Sequence, residues 1–221
     1  MEADYTHITA ILDRSGSMSS IRHAVINGFN TFLGDQRDKV GRATMTLVQF
    51  DSEAPFEVLY RCKDIETAPE LSTATYVPRA CTPLLDAMGR GMAELDEYLA
   101  GLDEAARPEH VVFVVITDGL ENASREYSHE RIARMIDERK ERGWQFVYLS
   151  ADIEAVEEAG GLGFADASRM AFDRTEIGVH FALDSLSRRL GRMRDCGAKR
   201  VEFDDADRGR QEAERKRREG K

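Results

Sequence analysis

Apolar and polar positions alternate along this chain between two periods, and the switches mark out its elements. Tyr5 to Leu12 ends in the apolar run Ile8-Thr9-Ala10-Ile11-Leu12, a buried first strand. Ile21, Ala24, Val25, Phe29 and Phe32 then recur at helical spacing to about Arg37, and Ser19 or Ser20 is placed to cap that helix. Ala43 to Phe50 is rich in β formers, and Phe56 to Cys62 follows after a gap short enough for a hairpin, so this third strand is expected antiparallel. Pro69 and Pro78 block helix through 63–82, and Pro83 suits the first position of a helix reaching about Leu102. His110 to Thr117, with V-V-F-V-V-I at its centre, is the most apolar strand and should lie mid-sheet. Ser128 to Arg142 reads as helix, Trp144 to Ser150 as strand, Asp152 to Ala159 as a short helix closed by Gly160-Gly161. Arg169 to Phe172 reads as a last short strand, and Thr175 to Leu190 as the final helix.

This alternation of strands and helices predicts an α/β class, a three-layer α/β/α doubly wound sheet, mostly parallel. The 221 residues are 42% hydrophobic, enough for one large domain over residues 1–190. A charged tail, 191–221, follows. From Ala206 onward it has almost no apolar residues, so it is expected to be disordered or a solvated helix.

The net charge of −10 argues against a nucleic-acid binder. The one basic stretch, Arg215-Lys216-Arg217-Arg218, lies in the tail, where a solvated end is the plainer reading than contact with an acidic partner or nucleic-acid backbone. Cys62, Cys81 and Cys196 are widely spaced and odd in number, which favours a reduced compartment. With no basic n-region and apolar h-region at the N-terminus, and no apolar run near the ~20 residues that cross a bilayer, a cytoplasmic protein away from membranes is expected.

Candidate chemistry gathers at the ends of the predicted strands. Asp13-Arg14-Ser15-Gly16-Ser17 follows the first strand directly and sets one carboxylate and two hydroxyls at alternate positions. Such hard oxygens suit Mg²⁺, with Mn²⁺ or Ca²⁺ as substitutes, rather than zinc or copper. One charge among three ligands leaves a dication under-neutralised, as expected of a site that recognises an acidic side chain through a metal. Thr82, in Cys81-Thr82-Pro83-Leu84, precedes a helix, and Asp118-Gly119 ends the most apolar strand, where the glycine is expected to supply a tight turn. Each segment alone is also an ordinary helix cap or turn; their order along the chain favours the metal reading.

These three segments resemble the metal-ion-dependent adhesion site of von Willebrand factor type A domains: D-x-S-x-S, a Thr before a helix, and Asp followed by Gly. The resemblance spans about residues 4–190 and implies the strand order 3-2-1-4-5-6. It implies that Ser15 and Ser17 bind an ion through their hydroxyls, that Asp13 and Asp118 act through bound waters or hydrogen bonds, and that Thr82 joins directly or through water. Within that family the chain is most similar to small bacterial and phage stand-alone versions, through Tyr76-x-Pro78-Arg79-x-x-Thr82-Pro83-Leu84-Leu85-Asp86 and Ser150-Ala151-Asp152-Ile153 with Gly160-Gly161-x-Gly163. Those relatives usually carry glycine where this chain has Cys81, a side chain expected to restrict the loop.

The function implied is a metal-dependent protein-binding module whose partner presents Asp or Glu to the ion. Glu121, Asn122 and Arg125 are placed by proximity at the rim. An accessory subunit of an ATP-driven chelatase or MoxR-like machine is the alternative, and a metal-dependent phosphoesterase a more distant one. Catalysis is disfavoured. Phosphoryl transfer to Asp13 wants a carboxylate where Ser15 stands, and no P-loop, G-x-G-x-x-G or G-x-S-x-G is present. Cys81, the five histidines, and Met88 with Met92 read as packing or solvated residues.

Overall fold

A computed structural model describes residues 1–220. Six strands form one sheet: β1 (Glu2–Asp13), β2 (Arg42–Phe50), β3 (Glu57–Asp64), β4 (Pro108–Thr117), β5 (Gln145–Ser150) and β6 (Arg169–Ala171). Their order is β3-β2-β1-β4-β5-β6, and every pairing is parallel except β2 with β3. Both the predicted order and the antiparallel edge strand are present.

Period-2 alternation divides the core into two layers. Ile8, Ala10, Leu12, Val112, Val114 and Ile116 face one side, where α1 (Arg22–Arg37) and α5 (Glu176–Cys196) pack. Ile11, Val111, Phe113, Val115, Phe146 and Tyr148 face the other, covered by α2 (Leu84–Ala100), α3 (His129–Glu141) and α4 (Ile153–Gly161). Because β1 and β4 are adjacent, parallel and central, their C-terminal ends lie side by side at one edge of the sheet.

The helix after β1 differs from expectation. Residues 16–21 form a 3₁₀ turn before α1, and neither Ser19 nor Ser20 caps the helix. The turn is pinned by Met18 N–H donating to Ser15 O at 3.1 Å, while Ser20 Oγ donates back to Ser17 O. Pro83 stands just outside α2 rather than as its first residue.

The C-terminal end corrects the expected solvated tail. Helix α5 continues past Leu190 to Cys196, and Gly197 closes it in the left-handed region at φ 65°. Val201 and Phe203 are buried in the α1/α5 layer. A further helix, α6 (Asp205–Arg218), begins with a capping box between Asp204 and Asp207 and docks on α5. Its buried residues are Asp207, Gln211 and Glu214, so polar contacts rather than apolar burial hold it, which an argument from apolar content misses. No helix of the described residues is long and apolar enough to cross a membrane.

Candidate functional site

Asp13 closes β1 with no exposed surface. Its Oδ1 accepts from Ser15 N–H at 2.6 Å and its Oδ2 from the Thr117 hydroxyl at 2.6 Å. Its carbonyl accepts from the buried Tyr76 hydroxyl at 2.7 Å. Both carboxylate oxygens are thereby aimed, and the loop is folded back over the strand end. Ser15 and Ser17 bring their hydroxyls within 3.1 Å of each other, and Ser17 Oγ donates to Asp118 Oδ1 at 2.6 Å. Asp13, Ser15, Ser17 and Asp118 are therefore one hydrogen-bonded cluster across the ends of β1 and β4.

Thr82 is 4% exposed, and its backbone is tied to the loop that follows Asp118. Its N–H donates to Asn122 Oδ1 at 2.9 Å, and its carbonyl accepts from Asn122 N–H at 3.1 Å. Its loop is laid against the first by Gly16 N–H to Ala80 O at 3.0 Å and Arg79 N–H to Arg14 O at 2.8 Å. Among the described residues the Thr82 hydroxyl takes no hydrogen bond, so it is the one candidate ligand not bonded into the cluster by its side chain.

The chain does not use glycine where it was expected to matter. Cys81 is not in the left-handed region; the strained residue is Ala80, at φ 58°. Cys81 is instead held by Ser52, whose N–H donates to its carbonyl at 3.0 Å and whose Oγ accepts from its N–H at 3.1 Å. Gly119 is not left-handed either, and a Cβ there would meet nothing within 4 Å; the turn after β4 is held by Thr117, whose Oγ accepts from Gly119 N–H at 3.3 Å while its proton goes to Asp13. Ala80→Gly should therefore stabilise the protein by about 0.5–1 kcal/mol, since relief of left-handed strain exceeds the entropy glycine costs. Thermal unfolding checks this, and a lower midpoint in the variant would contradict it.

The residues placed at the rim have a different part. Glu121 spends both oxygens on N–H groups: Oε1 accepts from Ala123 and Ser124 at 2.7 Å, Oε2 from Leu85 in the first turn of α2 at 2.9 Å. Asp86 answers from α2, accepting from the backbones of Arg125, Glu126 and Tyr127. This reciprocal stapling fixes the loop after Asp118 to the Thr82 loop, so Glu121 is an anchor rather than a rim group. Arg125 is exposed there. A groove of about 520 Å³ opens beside it, lined by Phe56, Cys81, Pro83, Arg90 and Asn122 among others.

Sequence reasoning missed a further brace. Arg14, 5% exposed, donates from Nε to Asp51 Oδ2 at 2.7 Å and from Nη1 to Glu57 at 2.5 Å. Asp51 also caps the β2–β3 turn and pairs with Arg79. The signal available was a lone Asp directly after β2, which reads as a turn.

Electrostatics fit a cation. Burial raises the Asp13 carboxyl to about 6, against hydrogen bonds from Thr117 and Ser15 that lower it, with Asp118 raising it further. Burial also raises the Asp118 carboxyl. Asp118 Oδ2 is buried without a hydrogen bond. Among the described residues no group of three or more His, Cys, Asp or Glu is suited to a metal, so a metal here would need hydroxyl oxygens beside the two carboxylates. Two buried carboxylates, one with an oxygen that has no hydrogen bond, and three hydroxyls make an all-oxygen donor set that suits a hard divalent ion.

No protein-family model and no curated protein sequence matches the chain. Solved structures do, at low identity. A von Willebrand factor type A protein from Catenulispora acidiphila superposes with a TM-score of 0.54 at 14% identity, over 84% of this chain and 42% of that one. Manganese-loaded TRAP protein of Plasmodium vivax gives 0.53 at 19% identity, over 83% and 73%. Proximal thread matrix protein 1 of the mussel byssus, with a zinc-occupied adhesion-site motif, gives 0.55 at 12%, over 85% and 46%. The chain spans less than half the length of the byssus protein. Strand order, the antiparallel edge strand and these neighbours agree: the chain has the von Willebrand factor type A fold.

Proposed function

We propose that this chain is a metal-dependent protein-binding module. Asp13, Ser15, Ser17, Thr82 and Asp118 would hold a divalent ion, Mg²⁺ under cellular conditions, and an Asp or Glu of a partner protein would complete its coordination. The observation that carries the reading is the cluster itself, with Asp13, Ser15 and Asp118 buried and Ser17 at its exposed edge: Ser17 Oγ donates to Asp118, Asp13 orients the Ser15 backbone, and Asp118 Oδ2 is left without a hydrogen bond. When bound, the ion supplies a Lewis-acidic position that takes a carboxylate oxygen. The protein's own residues do the rest. Tyr76 and Thr117 hold Asp13 in place, Glu121 and Asp86 keep the Thr82 loop rigid, and the groove beside Cys81 and Pro83 gives the partner's flanking residues a surface.

The same cluster supports a binding rather than a catalytic role. Ser15 stands where a phosphoryl-transfer acid would be needed, and a hydroxyl does not protonate a leaving group at neutral pH. The neighbours described as manganese-loaded and as zinc-occupied at the adhesion-site motif support a divalent ion here.

The test is a titration of Mn²⁺ followed by Mg²⁺ competition, in the wild-type chain and in an Asp13→Ala, Ser15→Ala double variant. The wild type should bind one ion per chain, and the double variant should bind at least about a hundredfold more weakly with its circular dichroism intact. Equal affinity in a folded double variant would refute the assignment.

A further inference from the structure

Arg174 follows β6 and stands beside the site, outside every motif that pointed to it. Its Nη2 donates to the Asp118 carbonyl and lies 3.4 Å from Asp118 Oδ2, the carboxylate oxygen with no hydrogen bond. Asp118 is fully buried, whereas the Arg174 side chain is 39% exposed. A guanidinium has five N–H donors in a planar fork, and here only Nη2 has a partner among the described residues. No other donor of this partly exposed side chain has a partner among the described residues.

The backbone that carries Arg174 is fixed on both sides. Phe172 N–H donates to Ser150 O at 2.8 Å, and the buried Asp173 receives Arg218 of α6 at 3.1 Å. Asp173 N–H donates to Gln211 of α6 at 3.1 Å, and Thr175 caps α5 through Gly178 N–H at 3.0 Å. The C-terminal helix thereby helps to hold this segment at the site. A purely structural ion pair would place the guanidinium squarely on the carboxylate. Arg174 instead takes the backbone carbonyl and stands off the carboxylate, with donors to spare.

We propose that Arg174 is the second anchor for the captured carboxylate. With one oxygen of the partner's Asp or Glu on the ion, a free Arg174 N–H donates to the other. Two oxygens of one carboxylate matched by a dication and a guanidinium would favour Asp or Glu over neutral oxygen ligands. The same positive charge, close to Asp118, opposes loading of the ion. Arg174 therefore weakens metal binding and strengthens carboxylate capture. This rests on the metal-binding reading above and adds a residue to it.

The opposed signs make the test. On the full chain, Mn²⁺ affinity is measured by electron paramagnetic resonance of the free ion. Acetate capture is measured by the fall in water-proton relaxivity of the Mn²⁺-loaded protein as acetate displaces bound water. Arg174→Gln should bind Mn²⁺ about two- to fivefold more tightly and require about fivefold more acetate for half-displacement, with Arg174→Lys between. Unchanged thermal unfolding of both variants separates this from a loss of structure. Weaker Mn²⁺ binding and weaker acetate capture together would mean that Arg174 only props the site, and would overturn the proposal. So would an acetate dependence in Arg174→Gln equal to that of the wild type, or no acetate effect in the wild type. A wild-type chain that binds no Mn²⁺ would instead overturn the metal-binding reading beneath it.

Discussion

Asp207→Ala will undock the C-terminal helix. Asp207 has no exposed surface and is the hub of the α5–α6 contact. Its Oδ1 accepts from Arg188 at 2.8 Å and Arg210 at 3.3 Å; its Oδ2 accepts from Arg189 Nε at 2.6 Å and from Asp204 N–H at 3.1 Å. Burial pushes the Asp207 carboxyl up, but Arg188, the Asp204 capping contact and Arg189 together hold it below its ordinary value. Alanine would leave Arg189, only 8% exposed, with one partner fewer in a site that water reaches poorly. Removing one member of such a pair costs about 3–5 kcal/mol, and α6 has little apolar surface with which to resist. Amide exchange of residues 205–218 should therefore accelerate by about a hundredfold or more, while the amides of β1 and β4 stay protected. Unchanged protection in α6 would show that the contact rests on something other than this carboxylate. Because Gln211 and Arg218 of the same helix hold Asp173, the undocked variant should also free the segment that carries Arg174.

The second large effect is one of pH. His7 is fully buried in β1, its Nδ1 2.8 Å from Thr44 Oγ1 and its Nε2 3.1 Å from Thr9 Oγ1. Neither ring nitrogen meets a carboxylate, so burial alone lowers its pKa to about 3. Between about pH 6.5 and 3 the unfolded chain binds a proton at His7 that the folded chain does not. The neutral imidazole's contribution is therefore full above pH 6.5 and declines as pH falls, at up to about 1.4 kcal/mol per pH unit. From pH 7 to pH 5 this one residue should remove about 2 kcal/mol of stability. Urea unfolding at the two pH values measures it against His7→Gln, whose own loss over that interval should be smaller by that amount. An equal loss in both proteins would mean that His7 does not titrate on unfolding.

The legible part of this protein was whatever local periodicity and short motifs encode. The apolar runs of β1 and β4 marked the sheet centre, and the gap between Phe50 and Phe56 marked a hairpin, because both depend on neighbours in sequence. Asp13, Ser15, Ser17 and Asp118 were singled out by type and position, and the fold brings these four side chains into one cluster. What the sequence hid lies in contacts between distant segments. Tyr76 on the Asp13 carbonyl, Arg14 on Asp51, and the exchange between Glu121 and Asp86 join residues 30 or more positions apart, and no local pattern announces them. Glu121 reads as a rim group only from its nearness to Asp118 in sequence, which does not show that its carboxylate faces the start of α2. The C-terminal helix was misread for a different reason. Its buried side chains are two carboxylates and an amide, which a count of apolar residues scores as solvent-exposed. Arg174 carried no motif at all, and only the end of β6 set beside the end of β4 makes it visible.

The central claim is that the ends of β1 and β4 form a divalent-ion site open to a partner's carboxylate. Anomalous diffraction from crystals grown with Mn²⁺ locates the ion directly. One peak is expected over the Asp13–Ser17 turn, within about 2.3 Å of both serine hydroxyl oxygens, with Asp118 and Thr82 facing it. A peak elsewhere on the chain, or none at millimolar Mn²⁺ in crystals that leave this edge of the sheet open, would contradict it.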